Sequence, residues 1–448
     1  MTKTKGTLAV IGGGLAGITA AEYASQNGFK TTLFERSKVL GGRAASLFDP
    51  NVNQWVDTGQ HLVLGCCTEF LALNKRLGLS HFFDQRESFP FAQIDSKKWT
   101  MTSAPFLPKR WQLVLSFLRI PFLSWTERLH TGRLLQKIGC RKKLPGTFAE
   151  YLITNRASSN SIDKFWTPLC LSALSDTIEN TACEAMQKVV QEAFLSGQNA
   201  MSIHIPTVPL RFIYHGSASE ALVKHGVEIR FFRRISRLHW KEGAGETPII
   251  TSLETADGSV HHFDHYILAI PVFNVWKVLE ASDLGEYAEQ LSLDRFEPGA
   301  ITTVHLWLDR PLLSASGGHT ILLGGAGQFL CCPYRLTEPG YHTVVISASH
   351  RLLSENEMLG KENGLLVERI LQQLRLTFGD HSFQLQNYRV TTSFDAVFSP
   401  KPSIYGVRPA QETIFPNLAF AGDWTQTDLP ATLEGAVRSG NRAVRCLQ

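Results

Sequence analysis

The chain has 448 residues, 44% of them hydrophobic and 19% charged, enough for a core larger than one ordinary domain supplies. Its 44 basic and 40 acidic residues leave a formal charge of +4, too balanced for a protein that neutralises many phosphates, which argues against a nucleic-acid partner. Eight cysteines, with Cys66–Cys67 and Cys331–Cys332 adjacent and none at Cys-x-x-Cys spacing, argue against a disulfide framework and a metal site and point to free thiols in the cytoplasm.

Thr7 to Ile11 is a short apolar, β-branched run that stops at three glycines, and Leu15 to Asn27 then has the spacing of a buried helix. Lys30 to Phe34 is a second apolar run ending on Glu35, which completes a βαβ unit and starts a parallel sheet. The apolar stretch after Lys5 is too short and glycine-broken for a signal peptide, and no run reaches the roughly 18 apolar residues of a spanning helix. From about Phe89 to Gln198 the chain is rich in leucine and aromatics, including Phe165 and Trp166, and reads as a helical layer. Strands are expected at Val227–Ile229, Arg234–His239, Ile249–Leu253 and Tyr266–Ile270. Thr302–Leu308 and Val344–Ser347 follow as strands, then a helix from Gly364 to Phe378. The chain closes with a strand at Leu418–Ala421, a turn at Gly422–Asp423 and a helix from Leu433 to Cys446. These elements predict an α/β fold in which a discontinuous Rossmann-like domain (1–85, 206–275, 415–448) interleaves with a mixed α+β substrate domain (86–205, 276–414).

Gly12-x-Gly14-x-x-Gly17 follows a strand and opens a helix, the context of a dinucleotide fingerprint. One glycine permits the turn, one admits the pyrophosphate to backbone N–H groups, and one lets helix and strand approach. Glu35 suits ribose hydroxyls and argues against a 2′-phosphate, leaving NAD or FAD. The loop Arg36-Ser37-Lys38-Val39-Leu40-Gly41-Gly42-Arg43 separates these two. Here the sequence resembles the FAD-dependent amine oxidase and carotenoid desaturase superfamily, whose signature is this fingerprint plus the Gly-Gly-Arg loop. Phe420-Ala421-Gly422-Asp423-Trp424 and Thr432-Leu433-Glu434-Gly435 look like its closing strand and flavin-facing helix. The resemblance implies that Gly422 and Asp423 hold the ribityl-pyrophosphate part, that Leu433 N–H faces flavin N1 and O2 with Glu434 beside it, and that Ile235 lies near adenine. With no cysteine or histidine in that segment before Cys446, noncovalent FAD is expected.

Val56-Asp57-Thr58-Gly59-Gln60-His61-Leu62, with Leu429-Pro430-Ala431-Thr432-Leu433-Glu434-Gly435, resembles the squalene-associated branch, the bacterial hydroxysqualene dehydroxylases. The likeness spans the chain, but that branch has Asn where Thr58 stands, an acid where Gln426 stands and glycine where Asp428 stands. It implies reductive loss of an allylic hydroxyl from a C30 isoprenoid, which needs a general acid and a dry apolar pocket. Asp57, His61, Asp428 and Glu434 are the candidate acids, Asp57 and His61 being favoured by their place in the segment that the family sets beside flavin and substrate; Glu434 can equally position flavin or cap its helix. Gly59 and Gln60 fall in the same segment as cofactor contacts. Residues 105–125 mix Trp, Phe and Leu with Lys109, Arg110 and Arg119, the composition of an interfacial segment at the inner face of the cytoplasmic membrane, or of a buried helix. Two rivals share the frame: an oxidative desaturase of squalene-like or phytoene-like polyenes, and a non-enzymatic isoprenoid escort. The electron donor is not legible in the sequence.

Overall fold

The computed structural model describes residues 5–448 apart from 87–88, 96, 103–112, 141–142, 197, 244–246, 313–318, 334–337, 339 and 351–362. Thr7–Ile11 is the central strand of a five-stranded parallel sheet ordered Glu228–Arg230, Lys30–Phe34, Thr7–Ile11, His265–Leu268, Leu418–Phe420. Side chains alternate across its two faces, and both are covered, as a parallel sheet requires. Leu8 and Val10 join the core shared by helices Leu15–Gln26 and Leu433–Arg445. Ala9 and Ile11 face Val275, Leu279 and Tyr287 on the other side. The first and last strands of the chain thus belong to one sheet, with His265–Leu268 between them.

A second, seven-stranded sheet runs in the order Leu385–Phe398, Pro298–Leu308, Tyr341–Ser347, Phe329–Cys331, His319–Leu323, Phe89–Gln93, Lys98–Met101. Against it lies a helical layer that includes Trp125–Cys140, Phe148–Thr154, Thr167–Leu174 and Cys183–Val189, around a core of Phe117, Phe148, Phe165, Trp166 and Met186. Thr147 and Glu150 form a reciprocal capping box that starts the helix at Phe148.

Three expectations change. Residues 89–101 form two strands rather than helix, with Trp99 and Met101 buried and Lys98 and Thr100 exposed, a period of two. Leu385–Phe398 is a 14-residue edge strand that the sequence reading missed. The segment from Trp276 to Phe296, assigned above to the substrate domain, packs Val278, Leu279, Leu284 and Phe296 onto the nucleotide-binding sheet.

The second sheet holds two neutral imidazoles. Nδ1 of His342 lies 3.0 Å from the Gly340 carbonyl while Nε2 accepts from Leu312 N–H, a pairing that only the neutral ring can make. Burial pushes its pKa down to about 4 and that of His305, hydrogen-bonded to Tyr341 and Thr391, to about 3. The unfolded chain therefore takes up protons near the ordinary value of 6.5 that the folded chain refuses, so stability is complete above that value and lost on acidification. Urea unfolding is expected to lose several kcal/mol between pH 6.5 and 4, with a shallower slope in H342Q. A wild-type profile flat across that range would contradict the assignment.

Candidate active site

The glycine turn after the first strand and the N-terminus of the last helix converge on a cavity of about 1380 Å³. Drug-sized pockets run to roughly 1,000 Å³, so this space suits a large cofactor together with a second molecule. One end is polar and walled by Gly12, Gly14, Glu35, Arg36, Gly42, Arg43, Arg234 and Ile235. The other is apolar, with Phe91, Met101, Leu169, Phe194, Ile321 and Phe329 supplied by the mixed sheet and the helical layer. Phe194 comes from a π-turn at Val190–Phe194, the kind of helix irregularity that often marks function.

At the polar end the helix from Leu15 has Gly14 as its N-cap, no side-chain cap and no acidic residue in its first turn. Its partial positive charge is left for an anion. A Cβ on Gly14 would meet only Gly42 Cα, at 3.9 Å, whereas Gly42 has φ +59° and a Cβ there would come within 2.9 Å of Gly14 Cα. The two backbones form a cradle in which position 42 must be glycine, while the side of Gly14 facing it stays open. Gly17 plays a different part: a Cβ there would lie 1.8 Å from the Gly12 carbonyl oxygen, so its hydrogen lets the helix seat on the turn. Glu35, buried, accepts from Gly13 N–H at 2.7 Å and from Ser37 N–H at 2.8 Å, which holds its carboxylate at the turn.

At the other grip Thr432 Oγ1 accepts from Gly435 N–H, leaving the N–H groups of Leu433 and Glu434 open at the cavity wall. Arg43 joins the two grips, donating to Asp423 Oδ1 at 2.6 Å and to the Ala396 carbonyl at 2.9 Å. Desolvation at the cavity wall opposes the Arg43 charge, although the residue keeps an exposed edge, and Asp423 with Asp395 more than compensates and raises its pKa. A glycine cradle, an uncapped helix start, a ribose-side carboxylate and a second open helix start are the chemistry that FAD demands, and the residues fit it.

Of the four candidate acids, His61 and Glu434 line this cavity and Asp57 and Asp428 do not. Asp57 is buried behind it, its Oδ1 accepting from Ser46 Oγ at 2.6 Å and Leu210 N–H at 2.9 Å. It pins the hairpin Ser46–Asp57 to the following layer and is not placed to protonate a ligand in the cavity. Asp428 is exposed, at φ +63°, and pairs with Arg442 at 3.1 Å outside the cavity. A catalytic role for either is set aside. Glu434 does line the cavity, but its carboxylate accepts from Glu69 and Phe70 N–H at 3.1 and 2.8 Å, capping the neighbouring helix Thr68–Arg76 rather than its own. Burial raises its pKa against those two donors and Arg438. His61 lines the cavity with Nδ1 2.8 Å from the Gly59 carbonyl, which leaves Nε2 toward solvent or ligand. Burial and the Arg43 charge lower its pKa. Gly59 and Gln60 line the same wall.

Arg408 escaped the sequence reading. It is buried, donates to the carbonyls of Leu429 (2.6 Å), Asp423 (3.3 Å) and Tyr405 (3.3 Å) and to Gln426 Oε1 (3.1 Å), and so fixes the loop between the two halves of the second grip. Its only sequence signal is a lone arginine in an otherwise unpatterned stretch. Thr391, Thr392 and Ser393, also cavity-lining, were missed with their strand.

A Rossmann-like sheet whose first turn and last helix close on one cofactor cavity, open at its far end to an apolar chamber, defines an FAD-dependent oxidoreductase. The chain belongs to the flavin containing amine oxidoreductase family, whose model matches residues 15–448. It is 27% identical to a hydroxysqualene dehydroxylase of Zymomonas mobilis, over 97% of each chain, and 28% identical to one of Sinorhizobium fredii, over 97% of this chain and 96% of that one. A 15-cis-phytoene desaturase of Solanum lycopersicum is 22% identical over 98% of this chain and 77% of its own. Among solved structures, an oxidoreductase from Methanosarcina mazei superposes with TM-score 0.73 at 17% identity, covering 97% of this chain and 98% of its own. Cyclohexylamine oxidase from Brevibacterium oxydans gives 0.70 at 15%, covering 99% and 98%.

Proposed function

We propose that this oxidoreductase removes the allylic hydroxyl of hydroxysqualene reductively, giving squalene and water. The observation that carries the reading is the single cavity in which a polar cofactor end runs into an apolar chamber with His61 lining the same space. Likeness to hydroxysqualene dehydroxylases over nearly their whole length supports it further. FAD, when bound and reduced, supplies the hydride. The chain must bring the carbinol carbon to it, keep water away and deliver one proton to the departing oxygen, so that R–OH, hydride and proton become R–H and water. The apolar walls hold the chain and exclude solvent that would trap a cation. Among the four acids considered, His61 delivers the proton in this reading, supported by its place in the cavity wall: Nδ1 is tied to Gly59, and Nε2 carries the exchangeable proton when the ring is imidazolium.

The sign of the pH dependence follows. Because the His61 pKa is lowered, the competent imidazolium form grows as pH falls toward and below 6.5. With anaerobically reduced enzyme and detergent-dispersed hydroxysqualene, kcat/KM for squalene formation is expected to rise on acidification from pH 8 to 6. H61Q is expected to lose about 10²–10⁴-fold and to show no such limb. A limb that persists in H61Q would remove His61 from the role. Dehydrogenation of squalene by the oxidised enzyme, without squalene formation from hydroxysqualene, would establish the desaturase direction instead.

A further inference from the structure

The described part of the segment read as interfacial turns mostly inward: Leu113, Phe117, Ile120, Phe122 and Leu123 are buried, and residues 103–112 lie outside the described residues. Trp125, 57% exposed, ends the segment as its outward aromatic, and a broader aromatic surface lies elsewhere. Hairpin Ser46–Asp57 presents its two faces differently. Leu47 points to the cavity wall with Val56 beside Trp307 and Tyr341. On the opposite face Phe48, 42% exposed, meets Trp55 with ring centroids 5.3 Å apart. The Arg211 guanidinium stacks on Trp55 at 3.5 Å and reaches Phe212, 46% exposed, at 5.9 Å. Among the described residues no carboxylate pairs with Arg211, whose guanidinium is held by the two rings. At the base of this hairpin the cavity reaches the surface, where exposed Arg43 and Asp395 line it next to Phe394, 63% exposed.

We propose that Phe48, Trp55, Arg211 and Phe212 form a docking surface for an anionic phospholipid bilayer, from which an apolar substrate enters the adjacent cavity. Charge complementarity decides the occupant: an unpaired guanidinium held flat on a tryptophan offers donors to a lipid phosphate, while phenylalanines on either side have no polar atom to offer a protein partner. Trp and Arg at the headgroup level with Phe below it is the interfacial arrangement. The entry route rests on the apolar-substrate reading; the docking surface does not.

Flavin-loaded protein is to be co-sedimented with vesicles of phosphatidylcholine alone and with added phosphatidylglycerol, at low and high salt. The expected result is binding to the anionic vesicles that weakens with salt, falls at least about tenfold in F48S/F212S and at least about fivefold in R211E, with visible flavin absorbance unchanged in both variants. Equal binding to neutral vesicles, equal binding by the variants, or no sedimentation of the wild type overturns the proposal. Turnover of detergent-dispersed hydroxysqualene is measured in parallel. Vesicle binding without turnover defeats the functional reading and leaves the docking surface standing; turnover without vesicle binding does the reverse.

Discussion

Gly17→Ala is expected to abolish retention of FAD through purification and to lower thermal stability markedly. The added methyl would stand 1.8 Å from the Gly12 carbonyl oxygen, inside any tolerable contact, and 3.4 Å from Ala269 Cβ. Relief must come from one side or the other. Gly12 cannot give, since its φ of +110° fixes the turn and its own Cβ position is already filled by the Ala269 carbonyl. The helix must therefore lift from the sheet, at about 1–3 kcal/mol for overpacking and more when backbone moves. The same displacement carries the open N–H groups at Leu15 and Ala16 away from where a pyrophosphate must sit. Gly132, in helix Trp125–Cys140, is the contrast: a Cβ there meets nothing within 4 Å, and Gly132→Ala should stabilise by up to about 1 kcal/mol through helix propensity alone. Flavin-to-protein absorbance ratio and a melting curve measure both. Wild-type flavin content in Gly17→Ala would mean that the helix seat is not part of the cofactor site.

The parallel sheet was legible because its signals are local. Thr7–Ile11, the glycines and Lys30–Glu35 sit within one βαβ unit, where period, turn chemistry and spacing constrain one another. The strands at Phe89–Gln93 and Lys98–Met101 were obscured because they are short and flanked by the same aromatic and leucine-rich composition that fills the helical layer. Leu385–Phe398 carried a usable sign in Val390, Thr391, Thr392, Val397 and Phe398, but as an edge strand it lacks the clean alternation of a half-buried one.

Among the site residues, backbone-defined positions were predictable and side-chain roles were not. Gly14, Gly42 and Leu433 act through main chain, whose geometry the glycine spacing and helix start already imply. Asp57, His61 and Glu434 are all polar residues within motifs, and nothing in a linear sequence says which side of a strand or helix faces the cavity. Asp57 turns to Leu210 and His61 to the cavity although only three residues lie between them, and Glu434 spends its carboxylate on a helix that begins at Thr68. That contact has a consequence for assembly. Glu434 with Glu69 and Phe70, Asn441 with Glu69, and Arg43 with Asp423 all join the N-terminal segment to the last 30 residues. The cofactor site therefore completes only when both ends of the chain are in place.

Arg408→Ala is expected to raise the dissociation constant for FAD at least tenfold and to cost about 2–5 kcal/mol of stability, the sum expected when several buried acceptors lose their donor. The guanidinium serves four acceptors, and three of them, the carbonyls of Asp423 and Leu429 and the Gln426 side chain, belong to the loop between the closing strand and the flavin-side helix. Removing it orphans the buried carbonyls, each at about 1–3 kcal/mol. Water can enter to satisfy them only if the loop swells. Asp423, Leu429 and Pro430 line the cavity, so a swollen loop displaces both the Arg43 partner and the approach to the helix start at Leu433. Arg408→Lys keeps the charge without the planar fork and should recover part of the stability but little of the affinity, because one ammonium cannot span carbonyls on both arms of the loop. Titration of apoprotein with FAD, followed by flavin fluorescence, separates affinity from folding measured by urea. If Arg408→Ala binds FAD as the wild type does while stability falls, the arginine supports the fold alone, and the loop takes its shape from the cofactor.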